Sequence, residues 1–277
     1  MQMSVALGNK EANKDTILRL GESIPSDCDY LVLPELWNIG YAGNKISENA
    51  ESMKGDSISF LRRFAKEHHL NIIGGSIAEK HEIGMFNTLP VIDRDGNLIY
   101  KYRKVHLFPL GINEPAFFQS GDDWGVFTHE ELSFGLMLCY DLRFPAFCRN
   151  IALRGGSVIF VPAQWPKERQ NHFRVLLQAR AIENQVYVVG VNCCGGNRNS
   201  YIGGSMVIAP DGTVLMECDS DEGVFSCMIQ PTENLSLRKR IPVFQDRRNI
   251  LDEIDDNLFG KTTLFNASHK EKASSPM

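Results

Sequence analysis

Apolar runs of strand length, separated by stretches with helical spacing, constrain this chain more than any other feature. They lie at YLVLP 30–34, NIIGGSIA 71–78, NTLPVID 87–93, NLIYKY 97–102, LSFGLML 132–138, SVIFVPA 157–163, VYVVGVN 186–192, GGSMVIA 203–209 and GVFSCMI 223–229. Several are apolar throughout, the pattern of strands covered on both faces. Between them, DSISFLRRFAKEHH (56–69) places Phe60, Leu61, Phe64 and Ala65 at helical spacing behind a capping Asp56 or Ser57. KERQNHFRVLLQARAIEN (167–184) carries Phe173, Leu176, Leu177, Ala181 and Ile182 on one stripe. The alternation predicts an α/β layered fold.

Two pairs of segments resemble each other. VIDRDGNLI (91–99) and VIAPDGTVL (207–215) each set Asp-Gly, a tight-turn dipeptide, between β-prone runs. YLVLPE (30–35) and VIFVPA (158–163) are also alike. Together they suggest two similar halves facing each other as two sheets. No linker divides them, so one domain is expected over residues 1–255. A polar tail, 256–277, is expected to extend from the body or to serve an interface.

Composition excludes several classes. The 277 residues carry a formal net charge of −5, and no basic stripe points to nucleic acid. No apolar stretch approaches a membrane span, and the N-terminus lacks the basic and apolar regions of a signal peptide. Seven cysteines, an odd count without a C-x-x-C pair, suit a reducing compartment. A cytoplasmic protein is expected.

The chemistry-bearing stretch is FGLMLCYDLRFPAF, 134–147, in which Cys139 ends an apolar strand and Pro145 opens a helix. Ligands of open α/β sheets bind beyond the carboxyl ends of strands, so a thiol on this elbow can face a cleft. A lone buried cysteine is more often inert, and one that reacts needs a base or a nearby cation. Two candidates end other strands. Glu35, closing LVLPE, would be a desolvated carboxylate suited to a general base. Lys104, in KYRKVHLF, would stabilise a thiolate or an oxyanion. Taken singly, each residue has a more ordinary explanation: a helix cap for Glu35, a solvated basic cluster for Lys104.

The ordered set changes this weighing. LVLPELW, KYRKVHLF and LMLCYDLRFP resemble the three catalytic signatures of the nitrilase superfamily of carbon–nitrogen hydrolases. QARAIENQVYVVGVN (178–192) and GGSMVIAPDGTVL (203–215) are also similar to that family. The resemblance runs from about residue 30 to about residue 230. It implies a four-layer α-β-β-α sandwich and a triad of Glu35 as general base, Lys104 as oxyanion stabiliser and Cys139 as nucleophile. It also implies a homodimer or larger homo-oligomer, with no metal and no cofactor. A second glutamate near the cleft corresponds by position to Glu114 in GINEPAFFQSG. The backbone N–H of Tyr140 would join Lys104 at the oxyanion, and Trp165 in PAQWP would wall the pocket.

Other polar residues near these motifs have bland readings. Asp141 and Arg143 are expected to form an internal ion pair that fixes the elbow, rather than Arg143 binding a substrate carboxylate. His106 is expected to be structural, and the vicinal Cys193 and Cys194 to end a buried strand. The N-terminal MSVALGNKEANKDTIL is short for the family, which predicts a rebuilt first loop or a weakly paired first strand. The implied activity is an amidase releasing ammonia from a small carboxamide, of the omega-amidase type acting on 2-oxoglutaramate-like amides. A nitrile or N-carbamoyl hydrolase would use the same triad. A scaffold protein that kept the fold without turnover is the alternative from another class.

Overall fold

The computed structural model describes residues 1–196 and 200–248. Its first compact unit spans Met1–Ile241, and the expected boundary at 255/256, with the tail beyond it, lies outside the described residues. The described chain forms two sheets, each covered on its outer side by helices. The first sheet holds β1 (Tyr30–Val32), β2 (Asn71–Ile73), β3 (Ile77–His81), β4 (Gly84–Ile92) and β5 (Leu98–Arg103). Helices α1 (Lys10–Gly21) and α3 (Asp56–His68) pack on it, with the short α2 (Lys45–Asn49) between them in sequence.

The second sheet contains β6 (Val126–His129), β7 (Leu132–Leu136), β8 (Val158–Ala163), β9 (Tyr187–Asn192), β12 (Met206–Ile208) and β13 (Val214–Glu217). Their spatial order is β13-β12-β9-β8-β7-β6, with β7, β8 and β9 parallel. Helices α4 (Pro145–Leu153) and α5 (Gln170–Asn184) cover it. A small hairpin of β10 (Cys194–Gly195) and β11 (Tyr201–Ile202) and a last helix, α6 (Glu233–Arg240), complete the described elements.

The four layers follow from side-chain alternation. On β9, Gly190 faces α5 so closely that a Cβ there would lie 2.5 Å from Leu177. Between the sheets, Tyr30 of β1 packs against Phe134 of β7, tilted at 47°, and stacks on Phe160 of β8, with centroids 5.2 and 6.2 Å away. Helix α3 buries Ile58, Phe60, Leu61, Phe64 and Ala65 against the first sheet. Each such large apolar side chain contributes about 1.5–3 kcal/mol. The similar segments of the sequence occupy opposite halves: β4–β5 turns through its Asp-Gly in the first sheet, β12–β13 in the second.

Three expectations differ from the structure. The run 71–78 is broken at Gly74 and Gly75, so that β2 and β3 lie in succession along one side of β4. Gly75 has φ +57, and a Cβ there would lie 1.9 Å from the Pro34 carbonyl oxygen, so only glycine lets the two chains meet. The run 223–229 is not a strand: Gly223 alone bridges to Gln2, and Met228 is 83% exposed. Its alternation finds no partner edge among the described residues. On α5, Phe173, Leu177 and Ala181 are buried as the stripe requires, whereas Ile182 faces outward. The stripe on α5 is therefore narrower than its apolar content. The N-terminal segment is weakly paired, as its brevity predicts. Gln2 and Ser4 make isolated bridges, while Met1, Met3 and Val5 drop into the core and α1 starts by residue 10.

Candidate active site

The ends of β1, β5, β7 and β8 converge between the sheets. Glu35 lies three residues after β1, Lys104 follows β5 directly, Cys139 lies three residues after β7, and Gln164 follows β8. Glu35, Lys104 and Glu114 are fully buried and Cys139 is nearly so. Lys104 Nζ donates to Glu35 Oε1 and to Glu114 Oε2, both at 2.7 Å. Its remaining described neighbour is the Tyr41 hydroxyl oxygen at 3.4 Å. Asn87 Nδ2 donates to both carboxylates, at 2.9 Å to Glu35 and 3.1 Å to Glu114. Glu114 also accepts from the Tyr41 hydroxyl at 2.8 Å and the Phe108 N–H at 2.6 Å.

One peptide segment ties the acid to the thiol. The Gln164 N–H donates to Glu35 Oε2 at 3.0 Å, and the Gln164 carbonyl accepts from Cys139 Sγ at 3.9 Å. The Gln164 side chain reaches back to the Glu35 carbonyl at 2.7 Å. Glu35, Lys104 and Cys139 are thus one cluster, with Cys139 the member that faces the cavity.

The electrostatics follow from burial and charge. Burial opposes the Lys104 charge, but Glu35 and Glu114 outweigh it and hold its pKa above the ordinary lysine range. Glu114 is lowered: burial works against its ionised form, and Lys104 more than offsets that. Cys139 is pushed well above its usual range, by burial first and the Glu35 charge second, with Lys104 pulling the other way. The resting sulfur is therefore a thiol beside a carboxylate, which suits proton transfer at the moment of attack rather than a standing thiolate.

Backbone strain gathers at these residues. Cys139 has φ +44, Leu36 beside Glu35 has φ +42, and Asn113 before Glu114 has φ +53. Left-handed non-glycine residues cost roughly 1–2 kcal/mol each and persist where the surroundings fix them. At the Cys139 elbow, a 3-10 turn over Cys139–Arg143, the fixing group is Asp141. Its carboxylate accepts from the Leu138 N–H at 2.9 Å, the Tyr102 hydroxyl at 2.7 Å and the His106 N–H at 2.9 Å, and it pairs with the His106 ring at 2.7 Å. His106 in turn stacks on Phe144 at 3.6 Å.

This corrects the expected Asp141–Arg143 pair. Both Asp141 oxygens are occupied by the groups that strap the Lys104 loop to the elbow. Arg143 turns instead to the cavity, its guanidinium 4.7 Å from the Trp165 ring centroid. His106 is the structural residue expected. Cys193 closes the end of β9 and Cys194 enters β10, both buried.

The cavity, about 210 Å³, is bounded by Tyr41, Phe108, Tyr140 and Trp165 around Cys139. Tyr140 packs edge-on to Phe108 at 5.1 Å, and Trp165 is held by its indole N–H on the Arg169 carbonyl at 2.8 Å. Asn87, Tyr41 and Gln164 belong to the site without having been singled out in the sequence. Asn87 left one signal, an amide inside the apolar run of β4. Among the described residues no three His, Cys, Asp or Glu side chains gather as a metal site.

The family described as "Carbon-nitrogen hydrolase" matches residues 1–236. The 2-oxoglutaramate amidase of Bacillus subtilis (strain 168) is 36% identical over 252 residues, 91% of this chain and 97% of that protein. The human omega-amidase NIT2 is 33% identical over 232 residues, 80% of this chain and 84% of that protein. A solved structure from Xanthomonas campestris, a CN-hydrolase superfamily protein with an arsenic adduct in its active site, superposes with a TM-score of 0.82. It is 32% identical, covering 89% of this chain and 95% of that one.

Proposed function

Since the chain belongs to the carbon–nitrogen hydrolase family and is a hydrolase of carbon–nitrogen bonds, we propose that it is an omega-amidase. Its substrate would be 2-oxoglutaramate or a closely related omega-amide, cleaved to acid and ammonia through a thioester on Cys139. The observation that carries the reading is the Lys104 ammonium held between two buried carboxylates, one of which is linked through Gln164 to the Cys139 thiol.

In the reaction, Glu35 takes the Sγ proton as sulfur attacks the amide carbon. The carbonyl electrons move to oxygen, and the tetrahedral oxyanion is held by Lys104 and the Tyr140 backbone N–H. Lys104 spends two N–H bonds on carboxylates, leaving a third opposite only the 3.4 Å contact to Tyr41. Loss of one such donor costs about 3–4 kcal/mol in related chemistry. Glu35 returns its proton to the nitrogen, the C–N bond breaks, and ammonia leaves. Water then gives a proton to Glu35 and attacks the thioester; collapse releases the carboxylic acid, and the sulfur leaves with the proton restored. Glu114 and Asn87 keep Lys104 and Glu35 in place throughout.

The similarity to relatives named for 2-oxoglutaramate and omega-amides supports the substrate class. So does Arg143, turned into the cavity where a substrate carboxylate would end. A homodimer and a cytoplasmic setting complete the proposal, sedimentation and fractionation being their tests. The deciding experiment follows ammonia from 2-oxoglutaramate, glutamine, a nitrile and an N-carbamoyl amine, with intact-mass detection of the acyl adduct. Release from 2-oxoglutaramate with an adduct lost in Cys139→Ala supports the reading. Preference for the nitrile or carbamoyl compound, or no adduct at all, overturns it.

A further inference from the structure

Two arginines, Arg143 and Arg169, line the Cys139 cavity, and among the described residues no Asp, Glu or Lys does. Neither arginine forms an ion pair with an acid among the described residues, and the neighbouring Glu168 is exposed. Both lie over aromatic rings: the Arg143 guanidinium carbon is 4.7 Å from the Trp165 centroid and that of Arg169 is 5.5 Å from the centroid of Phe108. A guanidinium over an aromatic ring spends no N–H on that contact, so its N–H groups remain available to a carboxylate. Arg143 directs one N–H group towards His172 Nδ1 at 3.3 Å. Arg169 makes no described side-chain hydrogen bond, while its carbonyl is fixed by the Trp165 indole at 2.8 Å.

We infer that Arg169 is a specificity-determining residue: with Arg143 it makes the cavity doubly cationic, selecting 2-oxo acid amides and rejecting the corresponding amino acid amides. The inference rests on the omega-amidase reading. With the amide carbon at Cys139, the other end of a short linear substrate lies against the arginines. A carboxylate and an adjacent keto oxygen both offer lone pairs there. At this end, away from Glu35 and Glu114, the described lining holds no acid, so the α-ammonium of glutamine brings a third positive charge beside the two arginines, and like charges in a confined site are strongly disfavoured. Discrimination then comes from repulsion of the wrong substrate as much as attraction of the right one.

The test compares kcat/KM for 2-oxoglutaramate, glutamine, glutaric acid monoamide and uncharged pentanamide in wild type, Arg169→Gln and Arg169→Lys. Arg169→Gln is expected to lower the monoamide-to-pentanamide ratio at least 10-fold, mainly through KM. It should raise glutamine relative to 2-oxoglutaramate by a similar factor, while Arg169→Lys keeps most of both ratios. Added salt should raise the wild-type KM for the charged amides and leave that for pentanamide in place. Ratios within twofold of wild type in Arg169→Gln overturn the inference. If that variant does not fold, a salt-insensitive KM for the charged amides overturns it instead. Failure of wild type to cleave 2-oxoglutaramate while it cleaves pentanamide defeats the omega-amidase reading, and the monoamide ratio still decides the role of Arg169.

Discussion

Strand β4 and the chain running from β5 into Lys104 carry two ionic clusters on opposite faces, divided at adjacent residues, Asn87 and Thr88 in one and Arg103 and Lys104 in the other. Towards the cleft, Asn87 and Lys104 meet Glu35 and Glu114: one cation between two acids, all fully buried. On the other face, Thr88, Lys101 and Arg103 meet Glu79: one acid between two cations. Arg103 Nε lies 2.8 Å and Lys101 Nζ 3.0 Å from its carboxylate. Glu79 is buried, but the Lys101 side chain is 40% exposed. The outer cluster therefore reaches water and settles as a stabilising network. The inner one cannot, and sets two acids and a single cation beside a thiol. Strand alternation alone separates structural from reactive chemistry here.

The comparison can be broken most sharply at the inner cluster. Cys139→Ala should abolish ammonia release, by at least about 10⁴-fold as for loss of a nucleophile that acts with its base as a unit, with the thermal transition little changed. Lys104→Met should lower kcat by about 10³-fold. It should also destabilise the fold by about 3–5 kcal/mol, because two buried carboxylates lose their counter-charge; urea unfolding reads the second effect. The outer cluster should behave oppositely. Glu79→Gln should cost on the order of 2 kcal/mol of stability at pH 7 and leave kcat within about twofold.

That variant also has a pH signature. Burial raises Glu79, but hydrogen bonds from Arg103, Thr88 and Lys101 prevail and lower it from 4.5 to about 2. Its contribution is thus complete above pH 4.5, where both states are ionised. It declines as pH falls from 4.5 towards 2, because the unfolded chain binds the proton first. Wild type should lose stability through this window, and Glu79→Gln should lose less. Lys101→Met, which leaves Arg103 on the half-exposed side, should cost below about 1 kcal/mol. A larger loss there than from Lys104→Met would reverse the distinction between the two faces.

The sequence makes some of this arrangement legible and hides the rest for physical reasons. Glu35 and Cys139 each end an apolar run, so a polar group at a strand end marks them, whereas Lys104 sits among Lys101 and Arg103 and only the ordered motif set singles it out. Asn87 is half-visible, an amide where a core strand wants a hydrocarbon. Tyr41 and Gln164 acquire their roles only when β1, β5 and β8 converge, which no local pattern reports. The same holds for Gly75: the break in 71–81 is required by the approach of Pro34, more than forty residues earlier. Arg143 and Asp141 mislead because adjacency in sequence suggests a pair, while the 3-10 turn sends one inward to His106 and the other out to Trp165.

The join between Glu35 and Cys139 is made by the amide and carbonyl of Gln164, not only by its side chain. Alanine scanning is blind to such a join, since every replacement except proline keeps both groups. The geometry proposed for catalysis is therefore one that survives exchange of the side chains around the mouth, and new amide specificities can arise on such a scaffold without rebuilding the proposed reacting centre.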